Sequence, residues 1–127
     1  MSKRAIETPK AKAVGPYSMA IEAGDFVYLS GQTPMDPATG KLVQSDIGAE
    51  TKQCLANLQA VLEAAGLDFS HVVKSNVFLT NMSDFGAMND VYKTHFPAPF
   101  PARSTVAVAA LPLGARVEIE LVAYRGK

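Results

Sequence analysis

The chain has 127 residues, of which 48% are hydrophobic and 19% are charged. This length and composition predict one compact domain over residues 1–127 with an ordinary folded core. Twelve basic residues balance twelve acidic ones, so the formal net charge is zero. Because a nucleic-acid binder usually carries a basic surplus that neutralises phosphates, the composition argues against a nucleic-acid partner.

The sequence contains no stretch that is long and apolar enough to cross a bilayer. Its first ten residues also lack the apolar core of a secretory signal. Cys54 is the only cysteine, so no internal disulfide can form and nothing points to an oxidising compartment. We therefore expect a cytoplasmic protein with no membrane partner.

The first third of the chain is typical of β-structure. Residues 17–23 alternate moderately, Gly24 and Asp25 form a turn signal, and residues 26–29 are an aromatic and β-branched run. A loop-forming stretch at residues 36–40 precedes a short strand near residues 41–43. From residue 46 the period changes to three or four, which predicts a helix over residues 46–65. Ser45 or Asp46 is its expected cap, and Gly66 suits the left-handed position after its end.

The second half repeats the alternation of strand and helix. Residues 72–79 predict a strand, and Ser83 is the expected cap of a second helix with an apolar stripe of Phe85, Met88, Tyr92 and Phe96. A proline-rich connection over residues 97–101 ends that helix. Strands near residues 102–108 and 116–124 follow. The predicted order β-β-β-α-β-α-β-β indicates an α+β fold, a mixed sheet with both helices packed on one face.

The last strand indicates what covers the other face. Val117, Ile119, Leu121 and Ala123 alternate with Glu118, Glu120, Val122 and Tyr124. The first set belongs under the helices. The second set mixes carboxylates with apolar groups, and solvent or a subunit interface can cover it. We favour the interface.

Arg103 is the first candidate for a functional residue, because it lies in an apolar run directly after the proline-rich loop. A buried arginine must reach water or meet an anion, and its planar fork matches a carboxylate. Spacing alone slightly favours a different role, an internal salt bridge to Glu118 or Glu120. Those two glutamates share a strand face and suit general acid–base work if burial raises their pKa. Solvated carboxylates are the simpler interpretation.

Four further residues have a functional and a structural interpretation. The Tyr17 hydroxyl can bond a ligand, or Tyr17 can be an interface or rim residue. Ser30-Gly31 can let a backbone group approach a ligand closely, or it can form a bulge or turn. Asn89 can lend an amide to a site or pack at a helix edge. No metal-ligand spacing, catalytic Cys-His pair or phosphate-binding glycine loop is visible, so we expect no metal and no cofactor.

Taken in order, several motifs resemble the Rid (reactive intermediate deaminase, or YjgF) family over nearly the whole chain. They are Gly15-Pro16-Tyr17-Ser18, Leu29-Ser30-Gly31-Gln32-Thr33-Pro34, Asp36-Pro37-Ala38-Thr39-Gly40, Glu63-Ala64-Ala65-Gly66, Asn76-Val77-Phe78-Leu79, Asn89-Asp90-Val91-Tyr92, Pro101-Ala102-Arg103-Ser104-Thr105-Val106, Leu111-Pro112 and Val117-Glu118-Ile119-Glu120. The segment around Arg103 is the most specific of them.

The resemblance implies a chorismate-mutase-like α+β fold, a homotrimer and ligand sites between subunits. It implies hydrolysis of 2-imino acids such as 2-iminopropanoate and 2-iminobutanoate, or of their enamine tautomers, to 2-oxo acids and ammonia. The family's anchoring arginine matches Arg103, and its acid–base glutamate matches Glu118. Other site-lining positions match Tyr17, Ser30, Gly31 and Asn89.

One position departs from the family pattern. Many members carry a cysteine two residues after the arginine, where this chain has Thr105. A thiol nucleophile is therefore excluded there, although Thr105 can shape the pocket or donate a hydrogen bond. Two other functions remain open: a non-catalytic module that binds a small carboxylate or a partner protein, and an endoribonuclease.

Overall fold

The computed structural model describes residues 2–11 and 13–126 and contains eight strands and two α-helices in those ranges. The strands are β1 (Arg4–Ile6), β2 (Ala20–Ala23), β3 (Phe26–Gln32), β4 (Met35–Asp36), β5 (Lys41–Leu42), β6 (Val72–Leu79), β7 (Ala102–Ala107) and β8 (Val117–Tyr124). The helices are α1 (Ile47–Ala64) and α2 (Phe85–Tyr92). No helix within these ranges has the length and apolar character that a membrane crossing requires.

Six strands form one mixed sheet in the order β1-β2-β3-β8-β6-β7. Neighbours are antiparallel except β6 and β7, which are parallel. Helix α2 therefore belongs to a crossover connection, since parallel strands cannot be joined by a tight hairpin. Strands β4 and β5 pair only with each other. The result is the predicted α+β fold, with β8 at the centre and β7 at an edge.

The core lies between the sheet and the two helices. In β8 the residues Val117, Ile119, Leu121 and Ala123 are buried, as the alternation predicted. They meet the apolar stripe of α1, which includes Leu55, Leu58 and Leu62. The predicted cap and stop of α1 are confirmed: the Asp46 side chain accepts a hydrogen bond from the Ala49 N–H, and Gly66 has a φ of +78°.

The opposite face of the sheet has no helix above it in the described part of the chain, and it carries large apolar side chains. Phe26 and Tyr28 of β3 are 40% and 50% exposed, and Val106 of β7 is 45% exposed. Half-buried Phe78, Val122 and Tyr124 lie on the same face, because strand pairing aligns them with these residues. We call this surface the open face.

The structure differs from the sequence prediction in four places. Strands β1 and β4 were not predicted, and β2 begins at Ala20 rather than at residue 17. Helix α2 ends at Tyr92, so Phe96 of the predicted stripe lies beyond the helix. The expected Ser83 cap is wrong. Asn81 caps a single 3₁₀ turn that precedes α2, accepting hydrogen bonds from the Ser83 N–H and hydroxyl. Ser83 is thus a donor to the cap, and Asp84 at the start of α2 makes no side-chain cap bond.

An ion pair between the buried Glu50 and the partly exposed Arg116 ties the start of β8 to the start of α1. Glu50 is 3% exposed, and Arg116 donates to both of its carboxylate oxygens, at 3.2 and 2.6 Å. The same guanidinium donates to the Ser45 carbonyl at 2.7 Å. Since Arg116 lies two residues before Glu118, this pair fixes the strand that carries that glutamate.

We expect Arg116→Ala to lower the free energy of unfolding by about 2–3 kcal/mol, because it leaves the buried Glu50 carboxylate without its charged donor. The matched control is Arg4→Ala, which removes an exposed ion pair with Glu22 and should cost about 1 kcal/mol or less. Urea unfolding at one protein concentration measures both. Equal losses would contradict the structural role of the Glu50–Arg116 pair.

Candidate functional site

Arg103 lies on the helix side of the edge strand β7. It pairs with Ser75 of β6, which is fully buried, so its side chain points toward α2. Its Nη1 donates to the Asn89 Oδ1 at 2.8 Å. The guanidinium carbon stands 4.7 Å from the ring centroid of Tyr92 and 5.5 Å from that of Phe85. Both distances fall in the cation–π range.

Helical spacing explains why these partners meet one guanidinium. Phe85, Asn89 and Tyr92 are separated by four and three residues, so they lie along one face of α2. That face packs against the start of β7, where Arg103 follows the proline-rich connection. Asn89 therefore contacts the arginine directly.

The internal salt bridge considered for Arg103 is not present among residues 2–11 and 13–126. None of the ion pairs in these ranges includes Arg103, and Glu120 instead accepts a hydrogen bond from Asn76 Nδ2 at 2.9 Å. Arg103 lines a cavity of about 400 Å³. The other lining residues are Asn89, Tyr92, Lys93, Phe100 and Pro101. A guanidinium without an acidic partner at a cavity is suited to bind an anion.

Thr105 belongs to the Arg103 side of the sheet. It lies two residues further along β7, half-buried, and pairs with the buried Val77. Its hydroxyl has no hydrogen-bond partner in the part of the chain that the structure describes. Thr105 therefore shares a face with Arg103, as the sequence motif placed it.

Glu118 lies on the open face, beside the irregular end of β3. It borders a smaller cavity of about 140 Å³ with Tyr17, Gly31, Pro112 and Leu113. Gly31 leaves space for the Glu118 carboxylate in its present position, because a Cβ on residue 31 would overlap that group. Burial raises the pKa of Glu118, and the charge of Glu120 raises it further.

Tyr17 lines this second cavity, and Ser30 directly precedes Gly31 in β3. Each of the two side chains already has a local hydrogen bond. The Ser30 hydroxyl donates to the Ser18 carbonyl at 2.6 Å. The Tyr17 oxygen accepts from the Val14 N–H at 3.3 Å, and the ring is 45% exposed. The proton of Ser30 is thus engaged, whereas the Tyr17 hydroxyl keeps its own proton to donate.

The predicted site residues therefore form two clusters in one chain. Arg103, Asn89 and Thr105 form the arginine cluster on the helix side, and Glu118, Gly31, Tyr17 and Ser30 form the glutamate cluster at the open face. Strand β6 separates β7 from β8. Two strand spacings amount to about 10 Å, and the side chains also point to opposite faces. A single chain does not bring Arg103 to Glu118.

The sequence pattern places Phe85 and Tyr92 only in an apolar core stripe, although both contact the Arg103 guanidinium. The signal was present in their spacing from Asn89 on the predicted helix. Pro112 and Leu113, which line the glutamate cavity, had no such signal. Their position depends on how the loop before β8 folds over β3.

Comparison with known proteins identifies the class of this fold and site. The family model described as Endoribonuclease L-PSP matches residues 7–125. The 2-iminobutanoate/2-iminopropanoate deaminase of Mus musculus is 49% identical over 125 residues, covering 98% of this chain and 93% of that protein. The crystal structure of YyfA from Yersinia pestis, a Rid-family protein, superposes with a TM-score of 0.94 at 48% identity and covers 97% of this chain and 99% of that one.

A second similar structure contains a ligand. The Escherichia coli protein TdcF with bound serine is 39% identical, with a TM-score of 0.91 and coverage of 97% of this chain and 99% of that one. These matches define a small α+β domain of the chorismate-mutase-like type. The chain belongs to the Rid/YjgF family.

We expect Gly31→Ala to fold while displacing the Glu118 side chain, because the new methyl group meets the free end of a flexible chain. The free energy of unfolding should fall by about 1 kcal/mol, the low end of overpacking costs. A crystal structure of the variant shows which group moved. As a control, Gly86→Ala on α2 has nothing near its new methyl and should stabilise the helix slightly. A Glu118 that stays in place would contradict this account of Gly31.

Proposed function

We propose that this protein hydrolyses small 2-imino acids, or their enamine tautomers, to 2-oxo acids and ammonia. 2-Iminopropanoate and 2-iminobutanoate are the proposed substrates. The observation that carries the proposal is the environment of Arg103. Its half-buried guanidinium borders a cavity and has no acidic partner among the described residues. The name of the mouse relative states this activity. The serine bound to TdcF carries a carboxylate next to its α-carbon, as the proposed substrates do.

The proposed site lies between subunits of a homotrimer. Arg103 and Glu118 point to opposite faces of one sheet, so a chain needs a neighbour to complete the constellation. The open face supplies the contact surface, since Phe26, Tyr28 and Val106 are apolar and exposed in the isolated chain. Burying such a surface against another copy is favourable, and closed rings of identical subunits are common.

In the proposed mechanism Arg103 holds the substrate carboxylate through its planar fork. The Glu118 of the neighbouring subunit orients a water molecule toward the imine carbon and accepts a proton from it. A proton from solvent on the imine nitrogen makes the imine carbon more electrophilic, and the water oxygen bonds to that carbon to give an amino alcohol. Glu118 then returns its proton to the nitrogen, the C–N bond breaks and ammonia leaves, and the hydroxyl proton passes to solvent as the carbonyl forms.

The other cluster residues support these steps. The Tyr17 hydroxyl and the Ser30 oxygen assist in positioning the water, and Gly31 leaves space for the Glu118 carboxylate. The raised pKa of Glu118 suits a group that both takes and returns a proton. Thr105 shapes the pocket beside Arg103. We place this reaction in the cytoplasm, in keeping with the single, buried thiol of Cys54.

We expect Arg103→Ala and Glu118→Gln each to lower kcat/KM for freshly generated 2-iminopropanoate by about 100-fold or more. Arg103→Lys keeps the charge and loses the fork, so a loss of about 10-fold is expected. Release of the 2-oxo acid is measured against a no-enzyme control. Full activity in Arg103→Lys would contradict the bidentate clamp.

The same assay separates the two rival functions. Tight binding of a 2-oxo acid without turnover of any imine would favour a non-catalytic module. The family description also names an endoribonuclease. RNA cleavage that survives extensive purification and disappears in Arg103→Ala would favour that activity.

We expect Glu120→Gln to move the acid limb of the kcat/KM profile to lower pH. Activity requires the Glu118 carboxylate, whose pKa lies above its ordinary value, and Glu120 is one cause of that rise. Removing the Glu120 charge lowers the pKa of Glu118, so ionisation persists further into acid. Because burial is the larger cause, part of the rise should remain. Glu63→Gln, at an exposed position of α1, is the control, and an unmoved limb in Glu120→Gln would contradict the assignment.

A further inference from the structure

The half-buried Arg103 guanidinium packs against an aromatic ring and has no acidic partner among the described residues. Its carbon lies 4.7 Å from the Tyr92 centroid, closer than the 5.5 Å to Phe85. Asn89 takes one hydrogen bond from Nη1. An acid at this place would neutralise the guanidinium and compete with an incoming carboxylate. A ring and an amide oxygen orient the guanidinium and leave its net charge available.

The Tyr92 ring is itself firmly held. It is 4% exposed and stacks on Phe96 with centroids 4.4 Å apart. Phe96 is in turn packed edge-on against Phe69 at 5.0 Å. Phe85, by contrast, is 36% exposed. Of the two rings that face Arg103, Tyr92 is therefore the fixed one.

The hydroxyl of Tyr92 lies close to the same group. It is buried and makes no hydrogen bond of ordinary geometry within residues 2–11 and 13–126, and the same is true of the neighbouring Ser75 hydroxyl. Burial raises the pKa of Tyr92, and the nearby Ser75 and Arg103 side chains offset part of that rise. The contact that carries the proposal is the one between the ring and the guanidinium. A phenylalanine at this position would retain that contact.

We propose that Tyr92 is a positioning residue that fixes the plane of the Arg103 guanidinium for carboxylate binding. The inference rests on the proposed function, since it assigns Arg103 as the clamp of the substrate carboxylate. It extends that function by identifying which side chain makes the clamp rigid. Tyr92 acts through Arg103 and does not itself act on the reacting atoms.

The test compares Tyr92→Leu, Tyr92→Phe and Phe69→Leu in the intact oligomer, with pyruvate as the binding probe. Tyr92→Leu should weaken pyruvate binding and raise KM about 10-fold, as expected for loss of a desolvated cation–π contact. Tyr92→Phe should keep pyruvate affinity within about twofold of wild type, because the ring remains. Phe69→Leu removes an aromatic contact of the same cluster away from Arg103, so it should lower thermal stability without this loss of affinity.

Two further readouts separate positioning from general damage. Proton–nitrogen NMR should give an Arg103 Nε–H signal shifted by the Tyr92 ring current, with the shift lost in Tyr92→Leu and kept in Tyr92→Phe. In an Arg103→Ala background, Tyr92→Leu should cause no additional loss of pyruvate affinity or activity.

The inference is overturned if the ring-current shift survives in Tyr92→Leu, if pyruvate affinity is unchanged there, or if the loss persists without Arg103. Equal losses in Tyr92→Phe and Tyr92→Leu would also overturn it, by assigning the effect to the hydroxyl. Pyruvate binding that behaves as expected while no imine is hydrolysed would count against the proposed reaction only.

Discussion

The alternation of side chains along β7 and β8 is the constraint on which the rest of the site depends. In both strands, the residues that face the helices alternate with those that face away. This places Arg103 against α2 and Glu118 at the open face, with β6 between them. Neither residue can change face without a shift of the strand register, which would expose the core.

Separation on the two faces keeps both groups chemically useful. A direct ion pair between Arg103 and Glu118 within one chain would lower the pKa of that carboxyl and would occupy the guanidinium. In the proposed trimer the substrate lies between the two groups. Here burial and Glu120 raise the pKa of Glu118, while Tyr92 and Asn89 hold Arg103 without neutralising it. In the proposed trimer, each chain therefore contributes one half of two different sites. The apolar open face, with Tyr28 half exposed, gives a physical reason for copies to associate.

Local pattern predicted the fold well and the site only in part. The three-to-four-residue period predicted α1, and the alternation of β8 identified its buried set, because both are properties of contiguous residues. Strand β1 was missed because three residues are too few to show a period, and the Ser83 cap failed because Asn81 starts a separate turn first. The division of the site residues into two clusters depends on β6 pairing with both β7 and β8, which no local pattern encodes.

The most direct test of a site built by two chains is complementation between Arg103→Ala and Glu118→Gln. In a ring of three, every mixed trimer contains one junction at which an intact Arg103 meets an intact Glu118 of its neighbour. Random 1:1 co-assembly makes about three quarters of the trimers mixed, so about one quarter of wild-type activity should return. A site contained in one chain predicts that the co-assembled variants stay as inactive as each variant alone, and that result would contradict the account.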